Sequence, residues 1–364
     1  MKILHFGDLH IKLKQDKRYK KDLINIIRYI LDVIKEERPD IVLAAGDIFD
    51  NKHPTPTESS LANAFIRRIL DLGAELVLIP GNHDLPPQAG AHHNLHPLDN
   101  LKLKGLHVLS ETDIYNVKGI DILAVPYVYL DQEAAKNRVK ELHDSYAGQN
   151  LFLLGHAWVE GYMQVVPPSQ EYVLSSQLIR SLHKVKYGAF GHIHHGGQIY
   201  GNFIYAGSPF RCSLGETSDK YLYQWEDGII KRFKTPALPI LTIDYHSIPE
   251  NIEEVTGHII RLIAKNITVD VLPKISKLTD ILTEKGNYVY TDVDLQKVTF
   301  ASAQENTVLT IDQFAKDWLK KNDLVGYGKQ IMAICNRIQS GEITSDTSPF
   351  DIPELEIKSD PTKN

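Results

Sequence analysis

Cysteine is scarce. The 364 residues contain two, Cys212 and Cys335, too few for a disulfide framework and in keeping with a reducing compartment. Long apolar runs are missing as well. No stretch approaches the 18 residues of a membrane span, and the opening MKILHFGDLH lacks the extended apolar core of a secretion signal. An excess of positive charge is also absent. The formal charge of −6 argues against a surface coated in basic residues, while leaving room for a local basic groove, because a field depends on where charges sit. What remains is 43% apolar and 24% charged, enough to bury a core and stay in solution. A cytoplasmic protein with no membrane partner is the expectation, of one large domain or two to three smaller ones.

Along the chain, KILHFGD reads as a short strand running into Gly-Asp. From Tyr19 to Glu37 the residues Leu23, Ile26, Ile27, Ile30, Leu31 and Ile34 repeat at helical spacing, and Pro39 closes the helix. DIVLAAGDIFD is a second strand that again ends in Gly-Asp. TESSLANAFIRRILDLG is a second helix, with Thr57 as its expected cap and Gly73 as its stop. ELVLIP is a third strand. This β-α-β-α-β order predicts parallel strands buried on both faces, with sites at their carboxyl ends.

The unusual residues lie at those ends. The first strand leads to Asp8 and His10, the second to Asp47 and Asp50, and the third to Gly81-Asn82-His83-Asp84. NLFLLGHAW presents His156, and VKYGAFGHIHHG presents His192 and His194. Glycine precedes each cluster, as a sharp turn and close backbone approach require. If His-Ile-His stays extended, alternation points both imidazoles to one side, and the same holds for Asp8 and His10. Asp8, His10, Asp47, Asn82, His156, His192 and His194 offer oxygen and nitrogen but no sulfur. Such a set suits manganese, iron or zinc. Seven donors are too many for one tetrahedral ion; two ions about 3.5–4 Å apart, bridged by a carboxylate, fit better. Taken singly, each piece could be a turn or a helix cap.

The five segments together resemble the signature of calcineurin-like metallophosphoesterases. The resemblance implies a β-sandwich flanked by helices, an α/β fold. Carried over, Asp8, His10, Asp47 and His194 would hold one metal. Asp47, Asn82, His156 and His192 would hold the other, with Asp47 bridging. His83 would be the catalytic histidine, Asp84 the carboxylate that orients it, and Asp50 a residue just behind the ligands. Two divalent ions are implied, Mn2+ before Mg2+. The implied reaction is in-line hydrolysis of a phosphate ester.

YAGSPFRCSLGE (residues 205–216) and GHAWVEG are similar to segments of the SbcD-type DNA nucleases, in their bacterial or phage form. That likeness covers about residues 1–235. One departure is Tyr221 after Lys220, where that family has glycine. The likeness implies an exonuclease on duplex ends and an endonuclease on single strands, serving DNA repair, recombination or replication. Its implied partners are DNA, an SMC-like coiled-coil ATPase of the SbcC type, and a second copy, giving a homodimer within a heterotetramer. The rival is a two-metal phosphatase or phosphodiesterase acting on a protein or a small molecule.

Pro236 and Pro239 mark a boundary. Beyond it, 236–305 reads as a small α/β module, with helices expected near 250–265 and 270–285 and a strand in NYVYTDVDLQKVTF. The resemblance makes it a capping, DNA-contacting domain; the residues alone allow an appendage over a sheet edge. Residues 306–341 read as a helical hairpin whose Phe314, Trp318 and Ile334 would dock the ATPase, and 342–364 as a disordered tail. The basic stretch 11–21 offers Lys12, Lys14, Lys17 and Arg18 to a phosphate backbone, or simply begins a solvated helix. His92, His93 and His96 could line the cleft or a surface loop. By family likeness, dimer contacts would fall at Leu61, Phe65, Leu95 and Leu98, whose other role is packing on the sheet.

Overall fold

The first strand shows how the molecule is layered. Along Lys2–Phe6, successive side chains face opposite ways. Ile3 enters the core between two sheets, while Leu4 and Phe6 enter a core beneath the first helices. The computed structural model describes residues 1–13, 17–86 and 92–295. Lys14, and all of 296–364 with Phe314, Trp318 and Ile334, lie outside them.

Two six-stranded sheets form the body. In the first, strands 2–6, 41–44, 75–78 and 106–108 run parallel, and the hairpin 221–226/229–234 adds antiparallel to 2–6. In the second, 203–205, 185–191, 151–156 and 120–125 are parallel, with antiparallel edges at 197–200 and 114–117. Leu43, Val77, Phe152, Leu154, Tyr187 and Trp225 fill the space between the sheets. Helices Lys17–Glu37 and Pro56–Asp71 cover the outside of the first, and Gln132–Ser145 and Ser176–Ser181 the outside of the second. Strands covered on both faces explain the near-continuous apolar runs of the sequence.

The long helix buries Leu23, Ile26, Ile27, Ile30, Val33 and Ile34, a stripe at three- and four-residue steps. The second helix, Pro56–Asp71, is capped two residues earlier than the expected Thr57. Its cap is Thr55, whose hydroxyl accepts from the Glu58 amide at 3.3 Å while Glu58 accepts from the Thr55 amide at 2.7 Å. A reciprocal pair satisfies two orphan donors, and Pro56 is already helical in φ; Thr57 offers neither advantage. Phe65, Leu95 and Leu98 are buried under these helices, with Leu61 packed against them. Packing on the sheet, the other role read for these residues, is the one seen for Phe65, Leu95 and Leu98, while Leu61 is only partly buried.

After Pro239 a three-stranded parallel sheet follows, 240–244, 259–267 and 288–295, backed by helix Leu272–Glu284. The expected helix near 250–265 is instead a one-turn 3₁₀ segment, Ile252–Glu254, followed by the central strand of this sheet. The run HIIRLIAKNI is rich in β-branched residues, and Ile259, Ile260, Leu262 and Ala264 are buried. Ile260, Leu262 and Ala264 face the core while Arg261 and Lys265 face out, but the short apolar run around them hides this alternation from a helix-or-strand reading.

Arg211 ties the linker down, donating to the Ala237 carbonyl at 3.2 Å and the Leu238 carbonyl at 2.8 Å. Arg18 does the same for the small sheet. It is 5% exposed and donates to the Arg211 carbonyl at 3.1 Å and the Tyr290 hydroxyl at 3.3 Å. Its guanidinium is a joint between the two parts and is too buried to meet a phosphate backbone. Among the described residues no helix is long and apolar enough to cross a membrane.

Candidate metal centre

Both sheets point the carboxyl ends of their parallel strands at one place. Asp8 and His10 follow the strand 2–6, Asp47 follows 41–44, and Asn82 follows 75–78. His156 ends the strand 151–156, and His192 and His194 follow 185–191. The backbones meet closely at this seam: a side chain on Gly191 would strike the Ala45 carbonyl, and one on Gly46 would strike the His156 ring. Gly46 also holds φ at +83°.

The extended geometry expected for the paired residues is not what brings them together. Asp8, His10, Asp47 and His192 have φ of 51°, 43°, 50° and 93°. Left-handed backbone at non-glycine residues costs of order 1–3 kcal/mol each and gathers at functional sites. Tight turns, rather than strand alternation, aim these side chains.

Their donor atoms converge. Nε2 of His10 lies 2.9 Å from Nε2 of His194 and 3.6 Å from an Asp47 oxygen. Nε2 of His156 and Nδ1 of His192 each lie 3.0 Å from Oδ1 of Asn82, and His156 is 3.6 Å from the same Asp47 oxygen. Asp8 accepts from the His192 amide at 2.8 Å through one oxygen; its other oxygen is buried without a partner. Asp8 groups with His10 and His194 on one side, and with Asp47 and His156 on the other.

The far nitrogens of three imidazoles fix their tautomers. His156 Nδ1 meets the Ala45 carbonyl at 2.7 Å, His194 Nδ1 meets Glu216 at 2.9 Å, and His192 Nε2 meets Glu171 at 3.2 Å. Carbonyls and carboxylates only accept, so each far nitrogen carries a proton, and in the neutral ring the inward nitrogen presents the lone pair. Lone pairs facing one another and an amide oxygen repel unless a cation lies among them. The residues present therefore fit two divalent cations, with Asp47 between the two groups.

Electrostatics agrees. Burial, then the charge on neighbouring carboxylates, pushes the Asp47 pKa well up, and burial raises that of Asp8 against the pull of His194. Burial and the surrounding imidazoles hold His10 and His156 well below the ordinary histidine value, so both rings stay neutral, the form in which an imidazole can hold a cation. For His194, burial works downward but is outweighed by Glu216 and Asp8, and the net shift is upward. Glu216, raised by burial but drawn down more by His194 and Lys220, falls to about 2. Lys220, buried itself, also donates to Ser208 at 2.8 Å.

Asp84 has a different task from the expected one. Its carboxylate accepts backbone amides of Gly81 at 3.0 Å, Phe49 at 3.2 Å and Ile48 at 3.3 Å, clamping the second and third motif loops together. The His83 ring is held instead by the Asp50 carbonyl, 2.6 Å from Nδ1. Its backbone amide donates to Asp47 at 2.9 Å, and the ring stands edge-on to His10 at 4.8 Å. Lys12 is half-exposed and paired to Asp50 at 2.8 Å, and Lys17 is exposed. His92 and His96 stack with centroids 4.0 Å apart, outside the cluster.

Sequence reasoning missed Glu171, Glu216 and Tyr129, whose hydroxyl donates to the Asn82 carbonyl at 2.8 Å. Glu216 closes the segment YAGSPFRCSLGE and could have been found there. Glu171, in a loop with no neighbouring motif, left no signal.

The fold and the site define a class. The calcineurin-like phosphoesterase family matches residues 1–196, more than half of the chain, and the chain belongs to that family. It is 26% identical over 200 residues to the DNA double-strand break repair protein Mre11 of Saccharolobus solfataricus, an alignment covering 53% of this chain and 49% of the relative. To the SbcD component of the nuclease SbcCD of Staphylococcus saprophyticus it is 25% identical over 246 residues, covering 62% of this chain and 65% of that one. The chain thus spans about half to two thirds of the length of these relatives. A solved archaeal phosphodiesterase matches with a TM-score of 0.32 and 11% identity over 64% of this chain and 99% of its own, too slight a likeness to carry an argument.

Proposed function

We propose that this chain is the metal-dependent DNA nuclease subunit of an SbcD-type complex, an exonuclease on duplex ends and an endonuclease on single strands, acting with an SMC-like ATPase. The observation that carries the hydrolytic part is the convergence of imidazole nitrogens and Asp47 on one seam. The nucleic-acid part is supported by the two relatives, whose names are those of DNA break-repair and nuclease proteins.

Asp8, His10, Asp47 and His194 would hold one ion, and Asp47, Asn82, His156 and His192 the other. When bound, such ions neutralise phosphate oxygens and make hydroxide available near neutral pH. The chain's own contribution is orientation and proton transfer. Glu171, Glu216 and the Ala45 carbonyl each hold the far nitrogen of one imidazole and so aim its inward nitrogen at the cluster. The Asp50 carbonyl keeps the His83 proton on Nδ1, leaving Nε2 to take up a proton and pass it to the leaving oxygen. Asp84 fixes the loops that place His83 and Asp47 side by side.

Lys12 and Lys17 are the described basic candidates for the DNA backbone. Phe314, Trp318 and Ile334 would dock the ATPase, and the active form would be a homodimer within a heterotetramer. The test is labelled duplex and single-stranded DNA in manganese, with and without the ATPase, beside a small phosphate diester. Manganese-dependent cleavage of DNA ends, abolished by chelation, is the expected result. Hydrolysis of the small ester with none of either DNA would favour the phosphatase reading instead. Trp318→Asp should end co-purification with the ATPase and leave cleavage of single-stranded DNA.

A further inference from the structure

A cavity of 410 Å3 opens beside the metal cluster, between Trp158, Met163 and the ligands His192 and His194 on one side and the Glu216–Lys220 segment on the other. Pockets for small molecules run from about 300 to 1,000 Å3, so it can hold a group of nucleoside size. Two of its walls belong to the cluster. A phosphate held there would have this space next to it for one of its ester substituents.

The lining indicates what kind of substituent fits. Lys220 is the one lysine in the wall, and its ammonium is already engaged by Glu216, Ser208 and the His194 carbonyl. A second phosphate would find no free ammonium there. Trp158 instead offers a half-buried indole, edge-on to His192 with ring centroids 6.3 Å apart. Its placement is firm. It follows ligand His156 by two residues, lies in the short strand Trp158–Val159 paired to Val173–Leu174, and donates its amide to the Tyr172 carbonyl at 2.9 Å. The loop carrying Met163 is tied by the Tyr162 hydroxyl to the His195 carbonyl at 3.0 Å. A rigid indole and a pliable thioether beside a cation site suit a flat, uncharged ring.

We propose that this cavity is a base subsite, in which the nucleoside on one side of the scissile phosphate stacks its base on Trp158 with Met163 filling the remaining gap. The proposal rests on the phosphodiesterase reading above and adds to it a demand for a nucleobase next to the cleaved bond. Stacking on an aromatic side chain tolerates any base, so the subsite selects nucleotides over other esters without selecting a sequence.

The test compares two substrates on the full manganese-loaded chain: thymidine 5′-(p-nitrophenyl phosphate) and methyl p-nitrophenyl phosphate. Trp158→Ala should lower the ratio of their kcat/KM values about tenfold, through KM for the nucleotide ester. Trp158→Phe should restore most of that ratio, and Met163→Ala should lower it about threefold. Manganese affinity, read by calorimetry, should remain at the wild-type value in Trp158→Phe and Met163→Ala. An unchanged ratio in Trp158→Ala overturns the subsite. So does an equal fall for both esters accompanied by weaker manganese binding, which would make Trp158 a support for His192 alone. Wild type that hydrolyses neither ester in manganese would overturn the phosphodiesterase reading itself, and the subsite with it.

Discussion

Buried polar groups fare differently in two regions of the molecule. In the small sheet module, the buried side chain of Asn287 donates to the Val255 carbonyl at 2.7 Å and the Leu282 carbonyl at 2.9 Å, and accepts from the His258 amide at 2.9 Å. It knits loops together and serves folding. At the sandwich seam, Asp8 keeps one carboxylate oxygen buried without a partner. Such a group costs about 1–3 kcal/mol, and four residues of the seam add left-handed backbone. The module spends its buried polarity on itself; the seam holds its own open for cations. The same contrast marks the electrostatics, since raised carboxylate pKa values accumulate at the seam, in Asp8, Asp47 and Asp84.

Disabling the seam should have the largest effect. Asp47→Asn removes the charge shared by both ion groups, and hydrolysis in manganese should fall by more than about 10³-fold with both ions lost in calorimetry. A variant that still binds two ions would remove Asp47 from the bridging position. His83→Gln should reduce kcat by about 10²–10⁴-fold while two ions still titrate; wild-type turnover would end its catalytic assignment. On the other side of the contrast, Leu262→Ala empties part of the module core, where Leu262 is 0% exposed. It should cost ~2–5 kcal/mol in a melting experiment yet leave hydrolysis of a small ester intact. Loss of that activity at temperatures where the variant is folded would show that the two regions are not separable.

The smallest effect tests the joint. Asp22, near Arg18 and Arg211, has its pKa raised from 3.8 to about 6, chiefly by burial, against the pull of the two arginines. The folded state therefore binds the proton more tightly than the unfolded chain. Its contribution to stability is present below about pH 4 and is lost as pH rises through about 6. Asp22→Asn should accordingly gain on the order of 1–3 kcal/mol at pH 8 relative to pH 4, read as a rise in Tm confined to the higher pH. An equal gain at both pH values would mean that proton binding plays no part.

Legibility in the sequence follows the same division. The seven seam residues could be read because each follows an apolar strand directly and the five strands recur in one order. Their conformation could not: nothing in His-Ile-His announces a φ of 93° at His192, so strand alternation was the natural but incorrect expectation. Asp84 and Asp50 exchanged parts for a related reason. The sequence shows a carboxylate next to His83, whereas the ring is held by a main-chain carbonyl, a group every residue carries. Glu171 reaches His192 from a loop and leaves no periodic trace. In the module, Ile259–Ile267 misled because its dense apolar run masks the alternation of Ile260, Leu262 and Ala264 inward with Arg261 and Lys265 outward.

The ligands also come from widely separated parts of the chain. His10 and His194 face each other across 184 positions, and the first strand gains its second neighbour only when Tyr223–Glu226 pairs with Lys2–His5. During synthesis, a nascent chain that has reached residue 150 has Asp8, His10, Asp47, Asn82 and His83 but none of the three histidines that complete the set. The seven residues therefore cannot all be present before the second sheet has begun to form. The order of translation itself withholds the complete set of seven until the strand 185–191 of the second sheet has been made.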